Sequence, residues 1–167
     1  MREISFNGKL SYSDYKKYNA YHFKSKYTAV FIILFLAYCI VFYGILYNLI
    51  SGFSKFLIIG LASLVLSILT LALLLFARNR KVKSIYNSSP RMKIESTYKT
   101  IYKGILIKSD HGTSLIKWKE IIRTVEKDKL IILYTSPVQA LIISREYFQN
   151  NQDFFDFKNI VKDKIKK

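Results

Sequence analysis

Residues 28–50 read TAVFIILFLAYCIVFYGILYNLI, and residues 56–77 read FLIIGLASLVLSILTLALLLFA. These two runs decide the fold. They hold 23 and 22 residues, and neither carries a charged side chain. A helix rises about 1.5 Å per residue and the hydrocarbon core of a bilayer is about 30 Å thick, so each run is long enough to cross once. Only Ser51, Gly52, Phe53, Ser54 and Lys55 separate them, a short turn with one cation. The pattern predicts a transmembrane helical hairpin over 28–77. Two buried core helices in a water-soluble protein would be the alternative, but core helices keep a polar stripe.

The flanks set the expected orientation. Lys and Arg number 27 against 11 Asp and Glu, a formal net charge of +16. Before the first run stand Arg2, Lys9, Lys16, Lys17, Lys24 and Lys26; after the second stand Arg78, Arg80, Lys81 and Lys83. Positive flanks stay on the cytoplasmic side, so both termini are expected inside and the turn outside. Such a basic chain calls for an anionic partner, and beside a membrane hairpin the lipid surface is the simplest one. Arg78, Arg80, Lys81 and Lys83 are therefore the candidate contact with anionic headgroups, at roughly 1 kcal/mol each. Nucleic acid is not expected, because the lysines are spread over every element and no recognition helix or aromatic-basic motif occurs. The first run begins too late and is too long for a cleaved signal peptide.

Within the second run, Gly60, Ser63, Ser67 and Thr70 recur at spacings of 3, 4 and 3, one stripe of small residues on a helix. The first run offers Ala37 and Gly44, with Asn48 near its end. The expected use is packing of the hairpin, with a homodimer interface as the second use. Tyr47 fits an interfacial aromatic belt. Tyr38 and Tyr43 lie deeper, where each hydroxyl needs a partner, such as a serine of the other helix. Cys39 is the sole cysteine, so neither an internal disulfide nor a thiolate metal site can form.

Outside the hairpin the periods change. Residues 1–27 begin with a short alternation, Ile4 and Phe6 against Glu3 and Ser5, broken by Asn7-Gly8. Ser11 or Ser13 can cap an amphipathic helix that follows, with Asp14 in its first turn. That helix fits either the headgroup boundary or the face of the C-terminal domain. Residues 78–90 read as a basic linker ending in Asn87, Ser88, Ser89 and Pro90. From 91 onward short alternating runs follow one another: 91–99, 101–109, 113–118, 121–126, 129–135 and 139–144. Asp110-His111-Gly112 and Lys127-Asp128 are the hairpin turns. From Asn151 the apolar residues Phe154, Phe157, Val161 and Ile165 recur at 3, 4 and 4, one face of a helix. The fold class is α+β: a transmembrane hairpin plus a small antiparallel, pleckstrin-homology-like cytoplasmic domain over 91–167, closed by a C-terminal helix. The strand at Ile4–Phe6 is expected to add to the edge of that domain's sheet.

The chain also resembles the YcxB-like family of bacterial membrane proteins. The resemblance rests on Phe6-x-Gly8, Ser13-Asp14-Tyr15, two adjacent spans and Gly104-Ile105. It continues through Ser114-x-Ile116-x-Trp118-x-x-Ile121 and Ile142-Ile143-Ser144-Arg145-Glu146-Tyr147-Phe148. Gly104, Trp118, Ile121 and Phe148 are the family-like core positions. The family's Pro-Lys-Arg run before the late Phe is replaced here by Ser144-Arg145-Glu146-Tyr147, of which one basic residue corresponds. The resemblance implies a cell-membrane protein with a pleckstrin-homology-like domain and no catalytic role.

The residues themselves supply no catalytic pattern. His22 and His111 stand apart from any second ligand, and no Gly-x-Ser-x-Gly, phosphate-cradling glycine loop or His-Glu-x-x-His occurs. No cofactor is expected. The expected function is a non-enzymatic, membrane-anchored interaction module that presents its β domain at the inner leaflet. Its expected partners are the bilayer, anionic headgroups and a protein. The alternative is a self-protection protein against a membrane-active toxin or peptide, in which the small-residue stripe makes the contact.

Overall fold

A computed structural model describes residues 3–47 and 52–165. Arg2, Asn48, Ser51, Lys166 and Lys167 lie outside the described residues. The chain divides into two compact units. One joins Met1–Tyr18 to Ile85–Lys167, and the other is Asn19–Ser84.

Among the described residues, the first unit is built on seven strands in two antiparallel sheets. Strands β1 (Ser5–Gly8), β2 (Ser96–Ile101), β3 (Gly104–Ser109) and β4 (Gly112–Lys117) form one sheet in that order. Strands β5 (Arg123–Lys127), β6 (Leu130–Tyr134) and β7 (Ala140–Ser144) form the other. The N-terminal strand takes the expected edge position, with Phe6 opposite Tyr98. Thr100 extends that pairing: its hydroxyl accepts from the Ile4 N–H at 2.8 Å, and its N–H donates to the Ile4 carbonyl at 2.9 Å. The core between the sheets includes Ile105, Trp118, Ile131, Leu133 and Ile143. Helix α3 (Asn151–Ile165) adds Phe154, Phe157 and Val161 from its single apolar face. Asn150 caps it, accepting the Asp153 N–H at 2.7 Å while its amide donates to the Asp153 carboxylate.

Strand β6 is buried at all five positions. Ile131 and Leu133 face the core. On the alternate set, Tyr134 meets Tyr18 from helix α1 (Tyr12–Leu46), with ring centroids 6.2 Å apart. Tyr86, near the end of helix α2 (Ser54–Ser88), meets Tyr12 and Tyr15 and donates its hydroxyl to the Leu10 carbonyl at 2.9 Å. The two placements left open for the amphipathic stretch therefore resolve in part. Tyr12–Tyr18 belongs to the β unit, and the stretch is the beginning of α1 rather than a separate helix. Ser11 is its cap, accepting the Asp14 N–H at 3.1 Å.

Three sequence expectations shift. Residues 78–90 do not form a linker, because α2 runs on to Ser88. Nothing before Pro90 removes a helical donor, and Pro90 then opens a 3-10 turn, Pro90–Lys93. The following strand therefore begins at Ser96, not at 91. The β5–β6 turn is Asp128-Lys129, one residue later than expected, with both residues left-handed at φ of 51° and 65°. Two-residue hairpins favour that backbone because its twist matches the strands.

In the second unit the two apolar helices pack together through small and polar side chains. Ile59, Ser63 and Ser67 are buried on α2. Ser67 donates to the Ser63 carbonyl at 2.6 Å, and Thr70 donates to that of Leu66 at 2.8 Å. The Thr70 oxygen then receives the Tyr38 hydroxyl at 2.9 Å, so the half-buried tyrosine finds a threonine instead of a serine. At the turn, Lys55 is buried. Its ammonium donates to the Tyr47 carbonyl at 3.1 Å and lies 4.8 and 4.7 Å from the Tyr43 and Tyr47 rings. That carbonyl sits at the C-terminal end of α1, where the helix dipole favours a cation. Both helices are long and apolar enough to cross a membrane.

Candidate functional site

The four basic residues after the second apolar run separate into two kinds. Arg80, Lys81 and Lys83 are exposed, and the Arg80 guanidinium lies 4.6 Å from the Phe76 ring. Arg78 is half-buried and turns toward α1. Its guanidinium carbon is 5.3 Å from the centre of the Tyr27 ring and 5.9 Å from that of Phe23. Such ring faces attract a cation but accept no conventional hydrogen bond. Arg78 Nε and Nη2 are buried and have no hydrogen-bond acceptor among the described residues.

Beside Arg78 runs a groove of about 410 Å³ between the two helices. On α1 it is lined at Ala20, Lys24, Tyr27, Thr28 and Phe31, spacings that keep one helical face turned to it. Leu71, Leu75 and Arg78 supply the α2 wall. One end is polar and basic; the other, at Phe31 and Leu71, is apolar.

The small-residue stripe is mostly turned inward. Ser63 and Ser67 are fully buried and Thr70 is half-buried. Gly60 lies off the close contact, since a Cβ built on it meets nothing within 4 Å. Gly44 is equally open. Helical periodicity alone could not distinguish Gly60 from Ile59, and it is Ile59 that faces the partner helix.

In the β unit the motif residues converge from distant parts of the chain. Phe6 stacks on Phe148 at 4.2 Å and on Tyr98 at 5.2 Å. Gly8 carries the Tyr147 ring directly on its backbone: an added Cβ would lie 2.2 Å from that ring. Gly104 is just as restricted, because its Cβ would fall 2.0 Å from the Ile116 carbonyl oxygen. Trp118 and Ile121 are buried, and the Trp118 indole donates to the Ile101 carbonyl at 3.2 Å. Arg145 ties its turn to the start of α3, donating from Nε to the Asn151 side chain at 2.7 Å and from Nη1 to the Phe148 carbonyl at 3.0 Å. The Tyr147 hydroxyl is buried and lacks a partner among the described residues. Burial, then the neighbouring Tyr98 and the Asp14 carboxylate, push its pKa far above the usual tyrosine value. These contacts make the junction a packing site rather than a reactive one. No three His, Cys, Asp or Glu side chains come together as a metal site among the described residues.

Residues 103–161 match the sequence profile of the family described as YcxB-like protein. The chain is also 24% identical to the uncharacterized protein YcxB of Bacillus subtilis (strain 168), an alignment covering 95% of this chain and 87% of that protein. No solved structure matches it significantly.

Proposed function

The chain belongs to the YcxB-like family, and on that premise we propose that it is a non-enzymatic, membrane-anchored interaction module. Its hairpin crosses the cell membrane, both termini lie in the cytoplasm, and the seven-stranded unit serves as a pleckstrin-homology-like domain at the inner leaflet. One observation carries this reading. The exterior of the hairpin is apolar, with Ile33, Ile40, Leu61 and Leu73 each more than half exposed, while serines and a lysine lie inside. Water would penalise that arrangement at every exposed side chain, whereas lipid favours it. Basic residues at the open end of the hairpin, Lys24, Lys26, Arg78, Arg80, Lys81 and Lys83, support the cytoplasmic assignment of that end. Two sheets of four and three strands, with α3 packed on their shared core, support the domain reading.

The self-protection alternative loses its intended contact, because Ser63 and Ser67 face the partner helix instead of the surroundings. Single-cysteine labelling tests the membrane reading. In a Cys39→Ser background, Gly52→Cys is expected to react with an impermeant maleimide on intact cells, and His111→Cys only after permeabilisation. Equal reaction at both positions on intact cells, or recovery of the protein in the soluble fraction, would overturn it.

A further inference from the structure

We infer that the groove between α1 and α2 at the basic end of the hairpin holds one anionic phospholipid, with Arg78 as the fork that grips its phosphate. The inference rests on the membrane reading above and deepens it: one arginine of the basic cluster makes a specific contact, while its neighbours act only through charge.

Three observations lead to this assignment. First, every charged residue from Asn19 to Ser84 is basic, so no carboxylate of that unit can pair with Arg78. Second, the two donors without acceptors are Nε and Nη2. These lie on the same edge of the guanidinium plane and form the pair that grips a carboxylate or phosphate through two parallel hydrogen bonds. Charged donors without acceptors are costly to bury, so an external anion has much to gain there. The Tyr27 and Phe23 rings hold the guanidinium in place without satisfying that edge. Third, the groove continues from Lys24 and Arg78 onto Phe31, Leu71 and Leu75. A soluble phosphate would have no use for that apolar wall, but the glycerol and first acyl carbons of a phospholipid would cover it. At about 410 Å³ the groove is in the range of small-ligand sites. Arg80 is exposed and lies outside the lining of this groove, and so provides an internal control.

Native mass spectrometry of the full-length protein in detergent tests the site. The titrants are phosphatidylglycerol, phosphatidylcholine and soluble glycerol 3-phosphate. Phosphatidylglycerol is expected to bind at least about tenfold more tightly than phosphatidylcholine, and glycerol 3-phosphate is not expected to displace it. Arg78→Gln should weaken phosphatidylglycerol about 10-fold or more, the effect of losing charged hydrogen bonds. Arg78→Lys, which keeps the charge but not the fork, should lose a smaller part, and Arg80→Gln should stay within about twofold. Leu75→Trp fills the apolar wall without touching a charge, and should weaken the lipid even if Arg78→Gln reduces helicity in circular dichroism. Equal losses in Arg78→Gln and Arg80→Gln would overturn the site as a diffuse charge effect. Equal binding of the two lipids, or displacement by glycerol 3-phosphate, would overturn it as well. A protein that partitions into membranes yet retains no phosphatidylglycerol defeats the lipid site alone. A protein recovered as soluble defeats the membrane reading itself.

Discussion

The two units of this chain are packed inside out with respect to each other. In the β unit, Ile105, Leu133, Ile143 and Phe157 show no exposed surface, and the lysines point away from the core. In the hairpin unit, Ile33, Ile40 and Leu73 are exposed while Ser63, Ser67 and Lys55 are buried. The same physics explains both. Apolar side chains leave water where they can, and polar groups seek partners where they cannot reach water. A unit with its apolar residues outside suits surroundings that are themselves apolar, which is the basis of the membrane reading proposed above. The contrast also separates two kinds of cohesion: the β unit is held by burial of large side chains, the hairpin by close approach and a few hydrogen bonds.

Trp118, the sole tryptophan, is buried in the β unit, so its fluorescence reports on that unit's unfolding. The largest expected effect is Phe157→Ala. Removing a fully buried ring should cost about 3–5 kcal/mol in a denaturant transition followed by Trp118. Leu73→Ala, on the hairpin exterior, should shift the same transition by less than about 0.5 kcal/mol. A comparable loss in both would break the division between the units.

Glycines sharpen the comparison at the next level. Gly104→Ala should destabilise the β unit by about 1–3 kcal/mol, since the added carbon meets backbone that cannot move aside. Gly60→Ala meets open space on a helix, and should leave hairpin stability unchanged or raise it by up to about 1 kcal/mol in a detergent-denaturation titration.

Alkaline pH provides a third probe. Unfolded tyrosine ionises near pH 10, whereas burial raises Tyr147 and Tyr98 above that value in the folded chain. The unfolded state therefore loses its protons first. Stability is fully present below about pH 10 and falls as pH rises toward the folded values, by up to about 1.4 kcal/mol per pH unit for each group. Tyr147→Phe should flatten that decline in Trp118-monitored unfolding. At neutral pH it should be neutral or stabilising by about 1 kcal/mol, because it removes a buried hydroxyl with no acceptor among the described residues. A small loss is expected of Tyr38→Phe. Losing the bond to Thr70 should cost the hairpin about 0.6 kcal/mol, the usual worth of such a bond between helices in lipid, and leave Trp118 unaffected.

Much of this was legible in the chain. The spacing of Phe154, Phe157, Val161 and Ile165 gave the buried face of α3, and the alternation at Ile4–Phe6 gave the edge strand. Element ends were harder to place. The polar residues from Asn87 to Ser89 suggested a linker, yet the backbone kept its helical donors until Pro90. The candidate headgroup cluster was visible as four neighbouring cations, but the inward turn of Arg78 was not. It depends on aromatic residues of α1, about fifty positions away in the chain.

By itself, then, the sequence determined two charge-free helices of spanning length, their basic flanks, and alternating runs followed by an amphipathic helix. Composition and short-range period suffice for these, because each depends on residues a few positions apart. Only the tertiary structure decided which strand the edge strand before the hairpin pairs with, β2, and in which register, Phe6 opposite Tyr98. It alone placed Tyr12–Tyr18 with that unit, set Tyr147 on the bare backbone of Gly8, and left one edge of Arg78 without an acceptor among the described residues. Those outcomes are choices among partners far apart along the chain, made by shape and by hydrogen-bond satisfaction, and no local pattern encodes them.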